Sequence, residues 1–190
     1  MLNKNKSKDV LIQVASRLFR IRGYDGVGLN DIIEESGIPK GSLYHYFPKG
    51  KEQLAIEAIN HTGEVVTSKI QEIFDRFEDP TEAFQAHLLH LAENLVGDFN
   101  LLGMPIGTIA GEKYSTSEPI RIACQSAFED WQAVYIRKLL ASGYSEKHSK
   151  DLSVVINAMV EGGILLSLTT KSSKPLEVIA DQIPLFLIKK

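Results

Sequence analysis

The sequence predicts an all-α fold: a small N-terminal head of three short helices arranged as a helix-turn-helix, then a larger C-terminal helical body, about nine helices in all. Three observations lead there. Apolar residues recur at i, i+3, i+4 spacing along nearly the whole 190-residue chain, the period of helices with one buried stripe. The stretch Leu29 to Phe47 holds two short helical patterns parted by a glycine. The segment Val154 to Leu168 is apolar nearly all round, with Asn157, Glu161 and small residues as its interruptions.

Composition is that of an ordinary globular protein, 44% hydrophobic and 24% charged, and the length suits one large or two small domains. A lone Cys124 excludes an intramolecular disulfide, argues against a cysteine zinc site and suits a reducing cytoplasm; it reads as a small buried hydrophobe. The basic N-terminus is followed by no long apolar segment, so secretion is not expected. No run reaches the roughly 20 apolar residues of a membrane span. Net charge is −3, but residues 1–60 carry nine Lys and Arg against seven acids, while the rest carries 12 against 17. A cationic end on an acidic body is the charge pattern of a nucleic-acid reader on a body that does something else.

Residues 1–6 read as a basic arm, and Ser7 as the cap of a first helix with Val10, Leu11, Val14, Ala15, Leu18 and Phe19 inward. Gly23 is placed for a left-handed cap. After a loop, Leu29, Ile32 and Ile33 share a face of the second helix, which stops at Ser36-Gly37. The third runs from Lys40 to Tyr46 with Leu43 and Phe47 inward, leaving Lys40, Gly41, Ser42, Tyr44, His45 and Tyr46 outside. A brace helix, a sharp glycine turn and a second helix with donors on its outer face are the parts of a DNA-reading helix-turn-helix.

From Gly50 to about Phe77 one long helix is expected, with Leu54, Ala58, Val65, Ile70, Ile73 and Phe77 at helical intervals. Asp79-Pro80 breaks it, and Thr81 starts the next, carrying Ala83, Phe84, Leu88, Leu91 and Leu95. Gly103 to Glu112 reads as an irregular helix closely approached by neighbours, and Tyr114 to Pro119 as a loop. Phe128, Trp131 and Tyr135 form an aromatic stripe on a helix ending at Gly143; such a stripe serves either as core or as a pocket wall. Ser145 caps a helix from Glu146 to Thr170, and a last helix holds Leu176, Ile179, Ala180, Ile183 and Leu187, kinked or divided at Pro184.

The run Gly37-Ile-Pro-Lys-Gly-Ser-Leu-Tyr-His-Tyr-Phe47, with Lys51-Glu-Gln-Leu54 after it and Ala15-Ser-Arg-Leu-Phe19 and Arg22-Gly-Tyr24 before it, resembles the DNA-binding module of the TetR family of bacterial transcriptional repressors. The phrase Gly103 to Glu112 resembles the ligand domain of one subgroup, repressors of drug-efflux genes in Gram-positive bacteria. The resemblance implies residues 1–49 as the DNA-binding domain and 50–190 as the ligand-binding and dimerisation domain. It implies Lys40 at base edges, Gly41 where the backbone approaches DNA, Tyr44 on a thymine methyl or phosphate, and Ser42, Tyr46 and Lys51 on phosphates. His45 is either a DNA contact or a solvated surface histidine. The chain departs from the pattern in two places. Val27 and Gly28 stand where the family commonly has threonines, making Asn30 the substitute contact, and Pro48-Lys49-Gly50 adds a residue before Lys51.

The expected partners are a near-palindromic double-stranded operator, a small hydrophobic, aromatic or drug-like effector, and a second copy of the chain. Phe84, Leu88, Met104, Ile109, Phe128, Trp131, Tyr135 and Met159 are the candidate effector contacts. Leu152, Val155, Ile156, Met159, Gly162, Gly163, Leu166, Ile179 and Ile183 are the candidate dimer contacts, since a helix apolar on all faces needs cover on all faces. No cofactor is expected, and no nucleophile–base pair, phosphate loop or paired-carboxylate motif marks an enzyme. The alternative is a helical metal-binding protein or enzyme using His87, His90 and Glu93, spaced three apart; packed or solvated histidines are the bland reading of the same spacing. A constitutive architectural DNA binder with no ligand is a third reading.

Overall fold

A computed structural model describes residues 4–97 and 106–188. Among the described residues it has nine α-helices, one short 3-10 turn and no strand. They divide into two compact units, residues 4–64 with 106–127, and residues 65–97 with 128–188.

In the first unit α1 (Lys4–Arg22) buries Leu11, Ala15, Leu18 and Phe19, the predicted stripe. The helix begins at Lys4, so Ser7 lies inside it and caps nothing, a correction to the expected arm and cap; lysine is tolerated well in a helix and the pattern Lys-Asn-Lys-Ser-Lys does not stop one. Gly23 closes it at φ +70°, the left-handed conformation that glycine adopts without cost. α2 (Leu29–Ser36) starts on Gly28, whose N–H donates to Asp31 Oδ2 at 2.6 Å. Asp31 thus makes the reciprocal half of a capping box, while Gly28 has no side chain to make the bond that a threonine hydroxyl would accept, and Asn30 stands exposed beside it. α2 ends on Gly37 at φ +65°, and α3 (Lys40–Tyr46) follows two residues later. The start of α4 (Lys51–Phe74) adds Leu54, Ala55, Ala58 and Ile59 to this core. α6 (Gly107–Lys113) and the start of α7 (Glu118–Ala141) add Ile109, Ile120 and Cys124. α7 begins one residue before Pro119 and not after it, because proline in a first turn gives up a hydrogen bond the helix does not need.

In the second unit α4 ends at Phe74, three residues short of the expected Phe77. The Lys138 ammonium donates to the Phe74 carbonyl at 3.2 Å and also to that of Phe77, a cation on the last turn's free carbonyls. α5 (Pro80–Gly97) begins at Pro80, not Thr81, with Asp79 Oδ1 accepting from the N–H groups of Thr81 and Glu82 at 2.7 and 3.1 Å. α8 (Glu146–Thr170) is capped by Ser145, whose Oγ accepts from His148 N at 3.3 Å. α9 (Lys174–Gln182) stops before Pro184, which sits in the 3-10 turn Ile183–Leu185. α9 lies against both α5 and α8. Cys124 in the first unit is buried, and burial pushes its thiol up to about 11.

Contrary to the reading of the sequence, α8 is long and apolar enough to cross a membrane by length and composition, with a mean hydropathy of 1.7 over its best window. Its packed face nonetheless holds Ser149, Ser153, Asn157 and Ser167, all buried, which is the make-up of a core helix packed on other helices. A side chain at Gly163 would meet Leu176 and Ile179 at 2.7 Å, whereas one at Gly162 would meet nothing within 4 Å. Gly163→Leu should therefore overpack the α8–α9 seam and lower stability by about 1–3 kcal/mol. Gly162→Ala should leave stability unchanged or raise it by up to about 1 kcal/mol. Thermal unfolding of the two variants checks the contrast.

Candidate functional site

α3 has seven residues, too few to persist without packing. Leu43 and Phe47, both fully buried, anchor it, and their spacing decides which side faces out. Lys40, Gly41, Tyr44 and His45 are exposed, Ser42 and Tyr46 half-buried. Tyr44 leaves 44% of its surface free, a large aromatic that the fold does not use. A side chain added at Gly41 would meet nothing within 4 Å, so the protein's own packing does not require glycine there. His45 and Tyr46 meet edge to face at 5.2 Å. The arrangement presents an ammonium, a hydroxyl and two aromatic donors beside a bare stretch of backbone, a set able to approach base edges and phosphates.

Lys51 is placed differently from the other expected DNA contacts. Its ammonium lies 4.0 Å from the centre of the Tyr24 ring, which also takes Lys113 at 4.7 Å and stacks on Phe19 at 5.6 Å. Burial lowers the Lys51 pKa, Asp25 pulling the other way. The loop that carries Tyr24 is held from α6: Glu112 Oε2 accepts from the N–H of Tyr24 at 2.5 Å and of Asp25 at 3.3 Å, and Lys113 pairs with Asp25 at 2.5 Å. Sequence reasoning missed this link, because partners nearly ninety residues apart leave no periodic signal.

The second unit encloses an aromatic and polar cluster. Phe74 meets Phe84 at 4.8 Å and Tyr135 at 5.9 Å, and Phe84 meets Tyr135 at 5.3 Å. The Tyr135 hydroxyl is 3.2 Å from His87 Nε2, both residues buried. Leu88 and Trp131 are buried in the same unit, with Phe128 edge-on to Trp131 at 5.4 Å, and Met159 is half-buried. Of the other candidate effector contacts, Ile109 is buried in the first unit and Met104 lies outside the described residues. His87 points inward, while His90 is half-exposed and Glu93 exposed, so the three do not share a face. No group of three metal-ligating side chains is assembled among the described residues.

Of the candidate dimer contacts, Leu152, Ile156, Gly163 and Ile183 are buried within the chain itself. Val155, Gly162 and Leu166 are exposed, and Met159 and Ile179 lie between.

Burial lowers the His87 pKa to about 4, with His90 adding to the effect, and raises that of Glu161 to about 7. The two act oppositely on stability. Between 4.5 and about 7 the folded chain keeps a proton on Glu161 that the unfolded chain releases, so stability falls as pH rises through that window. Between 6.5 and about 4 the unfolded chain protonates His87 and the folded chain does not, so stability falls as pH drops. Glu161→Gln removes the first effect alone. It should melt several degrees above the parent at pH 8, by about 2–3 kcal/mol. The gap should close as pH approaches 4.5, and melting curves at the two pH values test it.

Comparison with known proteins bears on both units. Residues 11–58 match the model for "Bacterial regulatory proteins, tetR family" and residues 80–182 that for "Transcriptional regulator LmrA/YxaF-like, C-terminal domain". The chain is 48% identical to the HTH-type transcriptional regulator LmrA of Bacillus subtilis over 94% of this chain and 95% of that one. It is 45% identical to the uncharacterized HTH-type transcriptional regulator YxaF of the same organism over the full length of both. A crystallised TetR transcriptional regulator from Chloroflexus aurantiacus shares the fold with a TM-score of 0.83 at 23% identity, covering 98% of this chain and 96% of that one.

Proposed function

Because the chain belongs to the tetR family of bacterial transcriptional regulators, with a C-terminal domain of the LmrA/YxaF-like kind, we propose that it is a dimeric repressor of the cytoplasm. It reads a near-palindromic operator through α3 and is released by a small hydrophobic effector; it acts by binding and not by catalysis. Residues 1–49 read DNA and residues 50–190 hold the effector and the second copy. The observation that carries this reading is the split of α3, with Leu43 and Phe47 fully buried while Lys40, Tyr44 and His45 stand outside.

Lys40 donates to base acceptors, Tyr44 touches a thymine methyl or a phosphate, and Ser42, Tyr46, Asn30 and Lys51 hold the backbone, with Gly41 giving clearance and His45 at the rim. Two such helices in successive major grooves ask for half-sites one turn or more apart, roughly 34–36 Å for one turn. An effector that binds the wrongly spaced dimer better by about 1.4 kcal/mol weakens DNA binding tenfold.

The dimer is supported by an uncovered apolar face. Val155, Leu165 and Leu166 on α8 are 41%, 52% and 56% exposed, and Val178 on α9 is 45% exposed. A contiguous face of that kind is costly in water, and a symmetric copy covers it with the same surface. Met159, Gly162 and Ile179 belong to its floor; Leu152, Ile156, Gly163 and Ile183 support it from behind.

On a site enriched from random DNA by the parent protein, Lys40→Ala should bind about 10–100-fold more weakly and Tyr44→Ala should bind measurably more weakly, both remaining folded. Unchanged affinity in both would refute the assignment of α3. Leu166→Glu should sediment as a monomer and lose operator affinity with it, whereas an unaltered dimer would remove α8 from the interface.

A further inference from the structure

Tyr24, in the loop between α1 and α2, is half-buried and fixed from two directions. Its ring stacks on Phe19 of α1 at 5.6 Å, with the planes 23° apart. Its backbone N–H donates to Glu112 Oε2 of α6 at 2.5 Å, and that of Asp25 to the same oxygen at 3.3 Å. A side chain at Gly23 would overlap the Glu112 carboxylate, so the bare backbone there lets the carboxylate lie flush on the loop. Lys113 pairs with Asp25 at 2.5 Å and sets its ammonium 4.7 Å from the Tyr24 ring centre.

The Lys51 ammonium lies nearer, 4.0 Å from the same ring centre. Lys113 spends its charge on Asp25, whereas Lys51 makes no ion pair among the described residues; Asp25, Glu112 and Asp31 act on it only from longer range. Lys51 is also the first residue of α4, the helix end where backbone dipoles disfavour a cation. Burial lowers its pKa, with Asp25 pulling the other way and Lys113 adding to the burial effect. Neither helix stability nor an ion pair therefore accounts for a lysine at this place. What holds it is the electron-rich face of Tyr24, which attracts the ammonium and restrains a flexible four-carbon stem.

We propose that Tyr24 is the positioning residue for Lys51: its ring, fixed by Phe19 and by the Glu112 hydrogen bonds, holds the Lys51 ammonium in place for a DNA phosphate before DNA arrives. This rests on the reading that Lys51 holds the DNA backbone. A free lysine gives up rotamer freedom when it meets a phosphate, and one already seated gives up less. Because Lys51 makes no ion pair, its N–H donors are not committed to a carboxylate that the phosphate would have to displace. A phosphate contact carries no sequence information, so the seat acts on affinity for every sequence and not on the choice among them.

The test is titration of the full-length protein, at several salt concentrations, on a site enriched from random DNA and on single-base variants of that site. Lys51→Ala should lower the slope of log affinity against log salt by about 0.9 per protomer, the loss of one phosphate contact. It should weaken binding by the same factor on every variant site. Tyr24→Leu should reproduce both changes, and adding Lys51→Ala to it should change neither further. Tyr24→Phe, which keeps the ring, should keep the parent's slope. The proposal is overturned if Tyr24→Leu retains the parent's slope or if the second substitution adds its full effect. It is also overturned if Tyr24→Phe loses as much as Tyr24→Leu, since the hydroxyl and not the ring would then be the working group. A slope and affinity unchanged by Lys51→Ala would remove Lys51 from the DNA contacts and the seat with it; a slope lowered by Lys51→Ala but not by Tyr24→Leu would remove the seat alone. Should Tyr24→Leu fail to fold, NMR of the free parent protein with labelled lysine side chains decides. The Lys51 ε-methylene protons should lie upfield of those of the exposed Lys40 and Lys49, shifted by the Tyr24 ring current, and stay there in Tyr24→Phe; an ordinary position would overturn the proposal.

Discussion

The burial of Leu43 and Phe47 is the interaction on which the reading of α3 depends. A seven-residue helix cannot hold its shape by propensity. It is held because two residues four apart are inserted into the core formed with α1 and α2, and the Lys8 ammonium lies 5.9 Å from the Phe47 ring centre. Once those two are inside, geometry leaves no choice about Lys40, Gly41, Tyr44 and His45, which come around the other side. Gly37 makes the entry angle possible, since its φ of +65° turns the chain between α2 and α3 within two residues. The outward face of α3 is thus a by-product of core packing, and its chemistry is free to vary while its position is not.

The body follows the opposite logic. Its aromatic cluster is packed as a core around an imidazole whose burial depresses protonation, and α8 in the same unit carries a carboxyl whose burial favours protonation. Groups of that kind destabilise a fold that has no other use for them. In the first unit, the Glu112 and Lys113 contacts to the Tyr24–Asp25 backbone and side chain bring a short helix from the chain's middle onto the loop that leads into α2.

Most of the fold was legible because helices write their buried face at a fixed period. Leu11, Ala15, Leu18 and Phe19, or Ser145 before Glu146, need no tertiary information to be recognised. Helix starts were less legible: Ser7 looked like a cap but lies within α1, and Pro119 looked like a boundary but sits in the first turn of α7. Both errors have one cause, that residues which favour ends are also tolerated within the first turns. The split of α3 could be read directly from Leu43 and Phe47. The buried polar groups of the body could not. Asn157 and Glu161 register in the sequence as interruptions of an apolar helix, and His87 as one of a spaced pair of histidines; only packing shows that Asn157 and His87 are buried while His90 is half-exposed. Glu112 carried no signal at all, since its partners are backbone N–H groups.

Hydroxyl-radical footprinting of the full-length protein on a DNA site enriched from random sequence tests the central claim most directly. The account predicts two protected patches on one face of the duplex, related by a dyad and centred one helical turn or a whole number of turns apart, roughly 34–36 Å for a single turn. One asymmetric patch, or protection that fails to distinguish the enriched site from its flanks, would contradict it.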